Sequence, residues 1–237
     1  MLFYLLDVLI RDPAAFVALL PVYLVTIVLS LIVGLTVHEF AHALVAHLLG
    51  DDTARRAGRL SLNPIRHLDP YGTLMMVVVG LGWGKPVPVN PSMLPNARRS
   101  MAWVAAAGPA SNLILAALLA VPIQLGWVDF RSPIFALPDS ITSGDIVAAI
   151  FGFAIFYNIL LGLFNLLPIF PLDGSKVVMG FAPLKLSISM ANLERYGMLF
   201  LLMVFAIDYF SNANLLWHVI QPPANAIGTL FVGQRFL

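Results

Sequence analysis

Residues 38–42 read His38-Glu39-Phe40-Ala41-His42, an HExxH pattern inside an apolar run that extends from Pro13 to Leu49. On a helix, positions i and i+4 lie on one face, so both imidazoles can ligate a single Zn²⁺ while the carboxylate between them stands beside a water at the metal. That is the geometry of zinc-assisted hydrolysis. With five His and two Glu in 237 residues, chance would place this pattern in about one chain per thousand of this composition, so coincidence is set aside. The apolar setting points the same way, because ionisable groups inside a membrane-spanning run are costly and mark function.

A catalytic zinc takes three protein ligands and a water, so a third ligand is required. His47 lies five residues past His42, on the far side of the helix, and reads as a packing or interfacial histidine. His67 sits in a polar loop and reads as a structural hydrogen-bonder; His218 has no partner in view. Asp173 is the better ligand. It lies in Asn165-Leu-Leu-Pro168-Ile-Phe-Pro171-Leu172-Asp173-Gly174, where two prolines and a glycine interrupt an apolar helix and free the backbone to present a carboxylate. From His42 to the polar Asp51 is about 14 Å of helix, and from Asp173 to Lys185 about 18 Å, so the two sites meet at similar depth. A carboxylate left unpaired at that depth would be expensive.

The chain that must position these groups is 60% hydrophobic and 11% charged, with mean hydropathy +0.91, against roughly 25% charged residues in soluble domains. Its solvent is mainly lipid, which excludes a soluble zinc protease. A net charge of +1 and the lack of a basic stripe give no reason to expect nucleic-acid binding. No Cys is present, so there is no thiolate ligand or cysteine nucleophile. The first apolar run is too long for a signal-peptide core, so the N-terminus is read as part of the mature protein.

The expected fold is an all-α polytopic membrane protein with about four transmembrane helices, a re-entrant strand-like hairpin, and a broken helix carrying the third ligand. Residues 1–12 read as an interfacial leader and the core as about 14–210, in one membrane-embedded domain spanning 1–237. The first helix runs from about Ala14 to Gly50, too long for the ~30 Å hydrocarbon core unless it tilts, bends near Pro21 or projects. Residues 51–71 form a polar loop. Gly72 to Gly84, with four Gly in 13 residues and a Val77-Val78-Val79 run, is too short to span and reads as the hairpin. A Pro-rich loop from Lys85 to Pro95 leads to a second helix, about Met101 to Pro122, bracketed by Trp103 and Trp127. The third runs from about Ile146 to Leu167, resumes as a half-helix over Gly174 to Pro183, and is followed by a fourth, about Tyr196 to Phe210. The tail 211–237 shows no convincing span. Segments 51–100 and 174–195 carry seven and three Lys/Arg, and 123–145 carries one, so the first two face the cytoplasm and the protein is expected in the plasma membrane.

The HExxH helix together with Asn165-Leu-Leu-Pro-Ile-Phe-Pro-Leu-Asp173-Gly174 resembles the site-2 protease family of intramembrane zinc metalloproteases, in its small prokaryotic form without PDZ or CBS modules. Gly58-Arg59-Leu60-Ser61-Leu62-Asn63-Pro64, His67-Leu68-Asp69-Pro70, Lys85-Pro86-Val87-Pro88-Val89-Asn90 and Ala107-Gly108-Pro109-Ala110-Ser111-Asn112 are similar to that group as well, so the likeness covers about residues 30–180. Phe170 departs from it, standing where relatives often carry Pro. The resemblance implies one zinc per chain held by His38, His42 and Asp173, with Glu39 as catalytic base acting on a transmembrane protein or peptide in the bilayer.

Two asparagines are secondary candidates. Asn112 either bonds a neighbouring helix or stabilises the oxyanion, and Asn165 either holds substrate backbone, as the resemblance implies, or caps carbonyls freed by Pro168. Asn158, seven residues before Asn165, reads as packing glue. The hairpin either offers a strand edge to an unwound substrate or plugs space beside the metal. Two rival functions use the same residues: a metal transporter with a His38/His42/Asp173 transit site, and an inactive scaffold that binds membrane helices. Oligomeric state is not legible.

Overall fold

A computed structural model describes residues 10, 13–79, 83–132, 142–211 and 213–237; the leader expected over 1–12 lies, apart from Ile10, outside them. Helix α1, Pro13–Leu48, stays helical through Pro21 and carries the HExxH residues in its last third. Its hydroxyls bond back along the helix, Ser30 Oγ to the Thr26 carbonyl and Thr36 Oγ1 to the Ile32 carbonyl, both 2.7 Å, so they need no water. The helix ends in a Schellman turn: Gly50, at φ +104°, donates to His47 O, and Asp51 N donates to Ala46 O.

After one helical turn, α2 (Thr53–Arg56), comes α3, Pro70–Val79. This corrects the strand-like expectation over Gly72–Val79. The Asp69-Pro70 pair starts a helix: Asp69 Oδ1 accepts from Tyr71 N at 3.0 Å and Gly72 N at 2.9 Å, and proline suits the first helical position. That local capping outweighs the β preference of the valine run. Residues 80–82 of the expected hairpin lie outside the described residues, and the strand pairing seen here is an isolated antiparallel bridge between Leu68 and Gly84.

Helix α4, Ala97–Gln124, begins and ends beyond the expected limits and touches α1 as well as three of the helices that follow. Helix α5, Ser143–Asn165, starts at a reciprocal capping box between Thr142 and Asp145, and Arg131 pairs with the same Asp145 carboxylate. Residues 166–172, containing both prolines, separate it from α6, Asp173–Phe181. Helices α7 (Leu184–Leu193) and α8 (Gly197–Ser211) follow, joined by a single 3₁₀ turn. The tail, for which no span was expected, contains α9, Leu215–Val232, packed on α4 and α5.

Among the described residues four helical stretches are long and apolar enough to cross a membrane: Leu24–Leu48, Ala97–Gln124, Ser143–Asn165 and Leu184–Asp208. Two apolar clusters fix the first three. Ile27, Leu31 and Leu35 of α1 meet Ala149, Phe153 and Tyr157 of α5. On the other side, Ala116 and Ala120 of α4 meet Ile155 and Ile159 of α5 and Ile220 and Ala224 of α9. Small residues on α4 allow the close approach that packing between helices in lipid requires.

The loops after α1 are tied down rather than loose. Asp51 is fully buried and accepts from Asn90 N at 2.6 Å and Thr53 N at 2.9 Å, linking the end of α1 to the segment that leads into α4. Burial alone would raise its carboxyl, but the bonds from Thr53 and Asn90, helped by the Arg56 charge, outweigh it and leave the group below the usual carboxylate value of 3.8. A lowered folded-state value stabilises the fold above the unfolded value and loses that effect as pH falls through the folded one. Asp51→Ala should therefore cost about 1–3 kcal/mol near neutral pH. In unfolding measurements on detergent-solubilised protein, the gap from wild type should narrow only below the ordinary carboxylate value.

Candidate metal centre

Helical spacing places His38 and His42 one turn apart with rings 4.6 Å between centroids and nearly perpendicular. Both are buried, deep in the α1–α4 contact. Asp173, first residue of α6, arrives from 135 residues beyond His38. Its Oδ2 lies 3.0 Å from His38 Nε2 and 3.2 Å from His42 Nε2, and the three ligand atoms all fall within 4.8 Å of one another. Gly174 makes the approach possible: a Cβ there would strike the carbonyl oxygens of Leu166 and Leu167, which fold over the start of α6. Ser175 Oγ, donating to Leu172 O at 2.7 Å, closes the same turn.

The rings are aimed by α4. His38 Nδ1 is 2.7 Å from Asn112 Oδ1 and His42 Nδ1 is 2.7 Å from the Val104 carbonyl, which can only accept. Between these two grips sits Gly108, where a Cβ would lie 2.5 Å from His42 Nε2 and 2.6 Å from His38 Nε2. Imidazoles in the neutral form, with their Nδ1 hydrogens on α4, would turn two Nε2 lone pairs toward an Asp173 oxygen that is itself an acceptor. Three electron-pair donors would then face one another, an arrangement that a shared cation resolves. The spacings also suit zinc, whose tetrahedral ligand–ligand edge is about 3.3 Å for bonds of about 2.0–2.1 Å. The donor set therefore fits one zinc ion.

Glu39, 9% exposed, makes no hydrogen bond or ion pair among the described residues. His47 is engaged elsewhere, its Nδ1 2.6 Å from Asp52 Oδ1, and the fully buried His67 has Nε2 2.6 Å from Ser61 O. His218, expected to lack a partner, bonds the Asn214 carbonyl at 2.7 Å at the start of α9. Asn165 Nδ2 donates back to Leu161 O at 3.0 Å, while Asn158 Oδ1 lies 2.9 Å from Asn112 Nδ2. Gly108 stands in a run of small residues legible as a packing face, but its place against the two histidines was not legible, and the Val104 carbonyl has no signal, because every residue carries a carbonyl.

The sequence pattern that defines peptidase family M50 matches residues 26–205. "Putative zinc metalloprotease YwhC" of Bacillus subtilis is 38% identical over 205 residues, 86% of this chain and 90% of that protein. "Putative zinc metalloprotease Rip2" of Mycobacterium tuberculosis is 30% identical over 187 residues, 76% of this chain and 66% of that protein. No solved structure matches the chain.

The Gly108 contact yields a sharp expectation. Gly108→Ala should keep the helical content seen by circular dichroism while zinc affinity, read by chelator competition, falls about 100-fold. A variant that binds zinc like wild type would show that the two Nε2 atoms point elsewhere.

Proposed function

This chain belongs to peptidase family M50, the site-2 protease family, and on that premise we propose that it is an integral-membrane zinc endopeptidase. Its substrates are other membrane proteins, cut in or near their transmembrane segments. One observation carries the reading: two helix histidines and a distant carboxylate converge beside a glutamate that makes no hydrogen bond or ion pair among the described residues, on a helix apolar enough to lie in a bilayer.

When bound by His38, His42 and Asp173, zinc supplies Lewis-acid polarisation of the scissile carbonyl and lowers the pKa of water at the site toward ~7. Glu39 is the base. Without a hydrogen bond or ion pair among the described residues, it takes the proton of the attacking water and returns it to the leaving amine, so no covalent acyl-enzyme forms. Asn165, whose Nδ2 makes one bond among the described residues, to Leu161 O, is assigned to a carbonyl of the substrate backbone. Among the three ligands Asp173 has the most exposed side chain, which supports approach of substrate from the α6 side.

Charge asymmetry between the loops supports a site below the cytoplasmic face of the plasma membrane. A transmembrane substrate hides its peptide bonds inside its own helix, so it must unwind locally to reach Glu39.

Glu39→Gln separates this reading from metal transport and from a scaffold. The variant should retain zinc while cleavage of a model transmembrane substrate in proteoliposomes falls about 10²–10⁴-fold. Unchanged cleavage with zinc still bound would sink the proposal. Asp173→Ala should lose both zinc and cleavage.

A further inference from the structure

Asn112 is fully buried on a membrane-spanning helix, and all its hydrogen-bonding hydrogens are accounted for. Its Nδ2 donates to the Gly34 carbonyl of α1 and to Asn158 Oδ1 of α5, each at 2.9 Å. Asn158, 1% exposed, uses its own Nδ2 on the Ala154 carbonyl at 2.8 Å. The two backbone carbonyls fix the direction of the whole network. Turning Asn112 over would set its oxygen against Gly34 O, and turning Asn158 as well would set an oxygen against Ala154 O. So Asn112 Oδ1 must face His38, and the short contact there is a hydrogen bond donated by His38 Nδ1.

We propose that Asn112, held by Asn158, is a positioning residue that locks the zinc ligand His38 with its proton on Nδ1 and its Nε2 lone pair aimed at the metal. The inference rests on the peptidase reading for the identity of the metal. It also decides between the two roles open to Asn112 from sequence. With both Nδ2 hydrogens committed, the amide has none left for an oxyanion, and a bond to a neighbouring helix is what sets the ligand. Close packing is part of the device: a Cβ on Gly34 would stand 3.0 Å from Asn158 Oδ1 and 3.1 Å from Leu161 Cδ1, so glycine at that position lets α1 reach the network without displacing either side chain. His42 is held in the same sense by Val104 O, one turn before Gly108, as Asn112 is one turn after it. The Val104–Gly108–Asn112 face of α4 thus orients both histidines.

If Asn112 were only helix glue, its loss would move stability and leave metal binding alone. Zinc affinity by chelator competition and imidazole ¹⁵N spectra of the full-length protein in micelles separate the cases, without reference to proteolysis. Asn112→Leu should bind zinc about 10–100-fold more weakly and lose the His38 Nδ1–H signal while keeping that of His42. Asn112→Asp keeps an acceptor toward His38 but sets its second oxygen against Gly34 O and Asn158 Oδ1, so it should lose stability while keeping the His38 Nδ1–H signal. Wild-type zinc affinity in Asn112→Leu, or loss of the His38 Nδ1–H signal in a folded Asn112→Asp, would overturn the inference and leave the peptidase reading standing. Should Asn112→Leu fail to fold, the metal-free wild type decides: the inference requires His38 protonated on Nδ1, and the opposite tautomer overturns it. A wild-type chain that binds no zinc would overturn both readings.

Discussion

Two imidazole nitrogens and a carboxylate oxygen, brought within 4.8 Å of one another inside a bundle of apolar helices, repel unless a cation joins them. Magnitudes show why this contact governs the fold around it. A buried charge left without its partner costs about 3–5 kcal/mol, whereas an interhelical hydrogen bond in a membrane averages about 0.6 kcal/mol. Helix packing of ordinary quality cannot hold Asp173 against the histidines. Charge compensation by a metal can, and the surrounding structure has to keep the three groups in place for it.

Helix α4 is the wall against which this happens. Contacts with α1, α5, α6 and α9 make it central, and on one face it presents a carbonyl, a missing side chain and an amide at successive turns. Each does something different to the histidines: Val104 O holds one ring, Gly108 leaves room for both Nε2 atoms, and Asn112 holds the other ring. The apolar clusters on either side of α5 keep α1 and α4 at the spacing this requires. Chemistry and packing meet in the same small residues, so α4 is both the centre of the bundle and the scaffold of the site.

The contrast between residues 69–79 and residues 165–174 shows how local signals decide structure. Asp69-Pro70 is a helix start, and it prevails over three consecutive valines that on their own favour a strand. Pro168 and Pro171 end α5 and leave seven residues before α6, and this irregular stretch delivers Asp173. In the first case the Asp69-Pro70 cap stands in the sequence beside the valine run, and the structure follows the cap. In the second the breakers are strong enough to be read directly.

Spacing along one element and residue type account for the i, i+4 histidines, the breakers before Asp173 and the apolar runs, and the cost of an unpaired carboxylate at that depth marks Asp173 as the histidines' partner. The roles of His47 and His67 away from that cluster follow from their positions too. Helix packing puts Gly108 against the histidines, turns Val104 O and Asn112 Oδ1 toward their Nδ1 atoms, brings Asn158 into the network and lays the tail back as α9. These depend on which face of one helix meets another across 46 to 78 residues of chain, as in the Asn112–Asn158 and Asn112–Gly34 bonds. Periodicity reports which residues share a face. It carries no record of which face of another helix lies opposite, because that is fixed by the packing of the whole bundle.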